Sequence, residues 1–205
     1  MGNYSDIIDL CRVVDGTEYS SPEEFVSALE EILNVDAFLR YTAVNTIIDN
    51  WDSYPFTGNN YYLFNNPVNN VSEWIPWDLT WGGNSQTPLF SRTGGDLVLR
   101  APLYDQVFEV ERYRRQYLAY TDLLLHFWFN DEKMSAKVQK YHHLIAPSVL
   151  MGTGDKAFFG DAPMFPVEAF EEEWQNMLLF AKARHQYLEK ALKEELAQTK
   201  KTVPG

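Results

Sequence analysis

At 205 residues, 45% hydrophobic and 15% aromatic, the chain is long enough for one domain with a packed core. A formal charge of −12 argues against a nucleic-acid backbone or an anionic membrane surface as the main partner, since both reward clustered Lys and Arg; "RYRR" at Arg112–Arg115 and the pair Lys200–Lys201 do not reverse this. The single cysteine, Cys11, excludes an internal disulfide and a cysteine-based zinc site.

The first element is a helix over "YSDIIDLCRVV", with Ile7, Ile8, Leu10 and Val14 at helical spacing. Cys11, inside this run, is expected to be a small buried hydrophobe. The start, Met1–Gly2–Asn3–Tyr4, leads into acidic residues and not into a signal-peptide pattern, and no apolar run is long enough for a membrane span. In "SSPEEFVSALEEIL" Ser21 suits an N-cap, Pro22 the first helical position and Glu24 the third, while Phe25, Leu29, Ile32 and Leu33 form one stripe. A third helix runs from about Asp36, where Phe38, Leu39, Thr42, Val44, Ile47 and Ile48 cover a broad apolar face, and should end near Asn50.

The period then changes. "NYYLFNN" and "VSEWIPWDL", joined by the turn-like "NPVNN", predict a β-hairpin. From Gly82 to Gly95 the composition is that of a mobile loop. Helices are expected from Pro102 to about Phe129, from Asp131 to about Leu150, with Pro147 kinking or ending the chain's run there, and from Val167, after Pro166, to about Leu196. The segment Gly152–Pro163 reads as a loop and "TKKTVPG" as a frayed tail. The organisation is thus a single domain over 1–205: helices over 1–50, a catalytic or metal hairpin over 51–82, a loop over 83–101, a helical bundle over 102–197 and a tail over 198–205. Its fold class is α+β, predominantly helical.

Two aspartates stand out. Asp52 follows a tryptophan, and Asp78 lies between Trp77 and Leu79, where a carboxylate loses hydration unless a cation or donors compensate it. Both flank the predicted hairpin, so they can converge at its mouth. One reading makes them turn caps; the other makes them metal ligands, which also accounts for the nearby asparagines as oxygen donors. Trp77 and Trp81 fit either a core or a stacking wall for a base or acceptor. His142 and His143 are adjacent on a helix and cannot both face one metal, and His126 and His185 read as packing residues. "EAFEEEW" reads as a solvated first helical turn, and "MGTGDKAFFGDAP" lacks the spacing of a phosphate-binding loop.

At these residues the sequence resembles the CotH-type kinases, atypical protein kinases associated with the bacterial spore coat. The elements that carry the resemblance are "NWD" at Asn50–Asp52, "NYYLF" at Asn60–Phe64 and "PWDLTWG" at Pro76–Gly82, together with "VDAFLRYTAVNTII" before them and "ARHQYL" at Ala183–Leu188. The resemblance implies an atypical protein-kinase-like C-terminal lobe, with Asp52 as the catalytic-loop aspartate and Asp78 as the metal-binding aspartate. It also implies Asn60 as the asparagine that helps hold a second Mg²⁺; on the stacking-wall reading of the tryptophans, Trp77 lies beside the nucleotide. ATP and Mg²⁺ are the implied cofactors, a protein Ser or Thr hydroxyl the acceptor, and the spore coat or cell surface the setting.

Departures accompany it. "SYPFTGN" between Asp52 and Asn60 is longer than the spacer of H-R-D-x-x-x-x-N, no His-Arg precedes Asp52, and Thr80 occupies a position that is often acidic. No glycine-rich loop precedes residue 50 and no lysine precedes Lys133, so the chain is expected to be the C-terminal half of such a kinase, inactive in isolation for want of a cationic grip on the phosphates. Two other functions stay open at this point: a non-catalytic binding or scaffold module on the same fold, and a glycoside hydrolase using Asp52 and Asp78 as paired carboxylates.

Overall fold

The computed structural model describes residues 4–16, 19–79, 82–90, 101–152 and 167–202. Within them the chain is a predominantly helical α+β protein with one antiparallel two-stranded hairpin.

Helix α1 (Ser5–Asp15) ends at Gly16, whose positive φ of 71° suits a residue without a Cβ. Cys11 is exposed on this helix, contrary to expectation, because the buried stripe is carried by Leu10 and Val14. Helix α2 (Pro22–Ile32) starts as its sequence predicts: the Ser21 hydroxyl accepts from the Glu24 N–H at 3.2 Å, and the Glu24 carboxylate reaches back to the Ser20 N–H at 2.8 Å.

Helix α3 (Val35–Ile48) is the central element. It begins at Asn34, whose side chain accepts from the Ala37 N–H, one residue earlier than expected. Phe38, Leu39 and Ala43 are fully buried, and so is Asn45 at 1% exposure. A helix covered on nearly all sides must be surrounded by other elements. The hairpin covers one side, and helices further along the chain cover the rest.

After α3 comes a short helix that the sequence does not announce, α4 (Tyr54–Thr57), closed by Gly58 at φ 76°. The hairpin follows: β1 (Tyr61–Asn66) pairs with β2 (Val71–Pro76), Tyr61 opposite Pro76 and Asn66 opposite Val71. Its inner face carries Trp74, 4% exposed and stacked on Tyr61 at 4.2 Å, with Phe38 and Tyr54 edge-on at 4.8 and 5.1 Å. Such aromatic contacts add to plain area burial, and they fix the hairpin to α3. Strand β2 stops at Pro76, so Trp77, Asp78 and Leu79 lie beyond it and not within it as the sequence suggested.

The expected helix over 102–129 is two helices, α5 (Pro102–Glu109) and α6 (Glu111–Phe127). They meet at Val110, which is buried and extended (φ −86°, ψ 113°), a conformation that a β-branched residue adopts readily. Helix α7 (Asp131–Gly152) is capped by Asn130, which accepts from the Lys133 N–H at 3.0 Å, and it continues through Pro147 instead of ending there. Helix α8 (Val167–Thr202) packs against α7 and extends past Leu196, so the helical part of "TKKTVPG" is ordered backbone up to Thr202. His126 is exposed beside Asp122 at 3.2 Å and is not a packing residue. His185 is one, with Nδ1 2.7 Å from the Phe129 carbonyl. His142 stacks on Phe170 at 4.6 Å between α7 and α8, while His143 is exposed. The glycine-rich segment 153–163, Thr80, Trp81 and the loop from 91 onward lie outside the described residues.

Candidate functional site at the hairpin mouth

Antiparallel pairing brings the start of β1 beside the end of β2. Asn60, just before β1, therefore lies next to Trp77, just after β2: the Trp77 N–H donates to the Asn60 carbonyl at 3.3 Å. That carbonyl also accepts the phenolic O–H of Tyr41 from α3 at 3.2 Å, and the Tyr41 oxygen accepts the Tyr54 N–H at 3.1 Å. Tyr41 is 4% exposed, and burial pushes its phenol up to about 12, so it stays a neutral O–H donor at ordinary pH.

Asn60 has φ 62° and Asp78 φ 47°. Left-handed backbone is uncommon outside glycine, but Asn and Asp tolerate it best. The two turns aim both residues out of the strand direction at the same end of the hairpin. Asp78 is exposed, as is Trp77 at 56%, so the large desolvation cost inferred from its aromatic neighbours does not arise. Trp77 forms a T-shaped pair with Tyr62, ring centroids 5.4 Å apart, and stays more than half exposed.

Asp52 is drawn to the same place by its hydrogen bonds. The Asn60 amide donates to the Asp52 backbone carbonyl at 2.6 Å and to its carboxylate Oδ2 at 3.0 Å. Oδ1 accepts from the Thr57 hydroxyl at 2.9 Å and from the Asn59 amide at 3.1 Å. The bonds from Asn59 above all, then those from Thr57 and Asn60, hold the Asp52 carboxyl below the usual carboxylate range, against partial burial. Asn59 and Thr57 were not singled out as Asp52 partners from the sequence; the hydroxyl and amide types in "PFTGNN" were the available signal.

Two further residues frame the site. Asn50 is fully buried and connects both aspartates, accepting the Asp52 N–H on Oδ1 at 3.2 Å and donating from Nδ2 to the Asp78 carbonyl at 3.4 Å. Arg184 of α8, also fully buried, donates to the α3 carbonyls of Thr46 (2.5 Å) and Ile47 (3.3 Å) and to those of Ser85 (3.2 Å) and Thr87 (2.5 Å). Asp49, buried at the αL end of α3, accepts the Asn84 N–H and lies near that guanidinium. The stretch 84–89 is therefore anchored, and Tyr117 adds a bond to the Leu89 carbonyl at 2.6 Å. The mobile-loop expectation does not hold for this part.

The donor set suits a hard cation. Mg²⁺ takes oxygen ligands, commonly one or two carboxylates with the balance from water and phosphate. Asp78 and Asp52 offer carboxylates. With the Asn60 nitrogen engaged by Asp52, Oδ1 is the atom of that amide that could act as an oxygen ligand. Among the described residues no group of three or more His, Cys, Asp or Glu gathers as a metal site, at the hairpin mouth or elsewhere. A cleft of about 540 Å³, lined by Leu79, Gly82, Gly83, Phe129, Met177 and Phe180 among others, opens beside the segment that follows Asp78.

A family model described as CotH kinase protein matches residues 1–188, and the chain is a member of that family. A search of curated proteins finds no match. Among the described residues no helix is long and apolar enough to cross a membrane.

Proposed function

We propose that this chain is the catalytic, metal-holding portion of a kinase that transfers the γ-phosphoryl of ATP to a protein Ser or Thr hydroxyl. The observation that supports it is the fixation of Asp52 by Asn60 at the mouth that Asp78 also occupies. Phosphoryl transfer has a loose transition state and asks the protein chiefly for positioning and charge stabilisation.

Asp52 has the role of orienting the acceptor hydroxyl. Its low basicity, set by its amide and hydroxyl donors, keeps it ionised at neutral pH, and it takes the hydroxyl proton late, as the bond to phosphorus forms. Asp78 and the Oδ1 of Asn60 are the residues that would hold Mg²⁺, which when bound neutralises charge on the phosphate oxygens. Trp77 offers its exposed ring face to the base of the nucleotide. Asn59 and Thr57 restrain the Asp52 carboxylate through its Oδ1.

The test is Mg²⁺-dependent transfer of a radiolabelled γ-phosphoryl group onto Ser or Thr of a protein acceptor, using the protein expressed from its complete reading frame. Asp52→Asn is expected to reduce transfer by roughly 10²-fold or more, the usual scale for losing a positioned acid or base. Undiminished transfer by that variant would contradict the assignment.

A further inference from the structure

Asn50 occupies an unusual position for a residue with no charge and no contact with solvent. Its side chain is fully buried, and its atoms are divided between two partners of the proposed site and one of the scaffold. Nδ2 donates to Asn45 Oδ1 at 2.8 Å, and Asn45 in turn donates to the Tyr41 carbonyl at 2.8 Å, so the anchor is the last turns of α3. The same Nδ2 reaches the Asp78 carbonyl at 3.4 Å, while Oδ1 receives the Asp52 N–H at 3.2 Å. The Asn50 backbone is itself held, its N–H on the Asn45 carbonyl at 2.9 Å and its carbonyl accepting the Ser53 hydroxyl at 2.7 Å.

Asn50 lies just past the end of α3. Its acceptor closes a local turn on the Asp52 N–H two residues on, while its donor reaches the Asp78 carbonyl 28 residues away. One amide thus joins two segments whose aspartates have different proposed tasks. An amide is rigid and planar, and its donor and acceptor are a fixed distance apart. Bonding one end to the backbone of Asp52 and the other to the backbone of Asp78 therefore sets the separation and relative orientation of the two residues. Groups that orient the residues around a metal commonly change metal affinity by about 10–100-fold when they are replaced.

We propose that Asn50 is a positioning residue that couples Asp52 to Asp78 through their backbones, holding the acceptor-orienting carboxylate and the metal-holding carboxylate in register. The assignment rests on the roles proposed for those two aspartates. Asn50 itself touches neither nucleotide nor acceptor.

The experiment uses the 205-residue chain, with the backbone amides of Asp52 and Asp78 followed by NMR, first in the free protein and then during a titration with Mg²⁺ alone. Asn50→Ser removes the bridge and keeps a small polar group. Asn50→Asp keeps the acceptor for the Asp52 N–H but cannot donate to the Asp78 carbonyl, and it serves if the serine variant does not fold. Val107→Ala, a fully buried truncation on α5, provides a stability control. In Asn50→Ser the amides of both aspartates are expected to shift or broaden and the Mg²⁺ midpoint to rise about tenfold, while Val107→Ala retains the parent behaviour. A parent chain with no Mg²⁺ response, combined with displaced amides of both Asp52 and Asp78 in Asn50→Ser alone, would uphold the positioning role and remove the metal reading. An unchanged Asp78 amide and an unchanged Mg²⁺ midpoint in both Asn50 variants, alongside a lowered melting temperature, would overturn the proposal and leave Asn50 a structural residue.

Discussion

The amide nitrogen of Asn60 lies 2.6 Å from the backbone carbonyl and 3.0 Å from the carboxylate of Asp52. One side chain thus fixes the position of the proposed catalytic group and adds to the lowering of its pKa by Asn59 and Thr57. Asn60→Gly deletes this contact and the available Oδ1, yet accommodates the φ of 62° at no steric cost. The Asp52 carboxyl is expected to titrate at higher pH in this variant, and Mg²⁺-dependent ATP affinity to fall about tenfold. Carboxyl NMR and calorimetry check the two effects. Because the folded-state value of Asp52 is depressed, its contribution to stability is present above the unfolded value near pH 4 and is lost as pH falls through the folded one. Asn60→Gly should therefore make acid unfolding less dependent on this group.

Asp78→Asn and Asp52→Asn should divide by role. The first removes a negative charge from the proposed metal site, so Mg²⁺-dependent nucleotide binding should weaken together with turnover. The second should lower transfer steeply with little change in nucleotide affinity. It should also lower stability by about 1 kcal/mol, because an amide cannot accept all the bonds now made by Thr57, Asn59 and Asn60. Paired melts, calorimetry and transfer assays read each effect.

Arg184→Met should cost on the order of 3 kcal/mol or more, since Arg184 is fully buried and its loss leaves four backbone carbonyls without their donor. Arg184→Lys should recover little, because an ammonium cannot reproduce the guanidinium fork. Urea unfolding measures both. A loss below about 1 kcal/mol for Arg184→Met would mean that the junction of α3, α8 and residues 84–87 is held by other contacts.

Alkaline pH should unfold the protein steeply. Burial raises the phenols of Tyr41, Tyr113 and Tyr117 to about 12, and raises Tyr54 as well. In the unfolded chain they ionise near pH 10. The folded state thus retains protons that the unfolded state has lost, so stability is fully present below pH 10 and falls as pH rises from there toward about 12. Tyr117→Phe should reduce the slope in a pH series of urea unfolding curves.

The hairpin and its polar residues were legible because period-two alternation, turn residues and short polar side chains all fall within one stretch of chain. Asn60 and Asp52 are assigned to one site by the resemblance of "NWD" and "NYYLF" to the family's motifs, not by periodicity. Asn50 and Arg184 were not legible as partners. The bonds of Arg184, and the Asn50 bond to the Asp78 carbonyl, go to backbone groups of remote segments, which every residue type offers, so no complementary side chain marks them in the sequence. The exposure of Asp78 was misread from its aromatic neighbours: strand β2 ends at Pro76, and the turn at positive φ carries Trp77 and Asp78 to the surface. The break at Val110 carries neither glycine nor proline, and tertiary burial of that valine decides it. Cys11 failed for the opposite reason, since helical periodicity around it was correct while the buried stripe lay one residue away.

The central claim is that Asp52, Asn60 and Asp78 surround one site for a divalent cation and nucleotide phosphates. Its most direct test is paramagnetic line broadening of backbone amides in the 205-residue chain by Mn²⁺–ATP, as a substitute for the magnesium complex. The amides of Asp52, Asn60, Trp77 and Asp78 are expected to broaden first and together, and Asp78→Asn to shift the effect to higher concentration. Broadening centred instead on the acidic start of α8, around Glu171–Glu173, with the hairpin mouth unaffected, would contradict it.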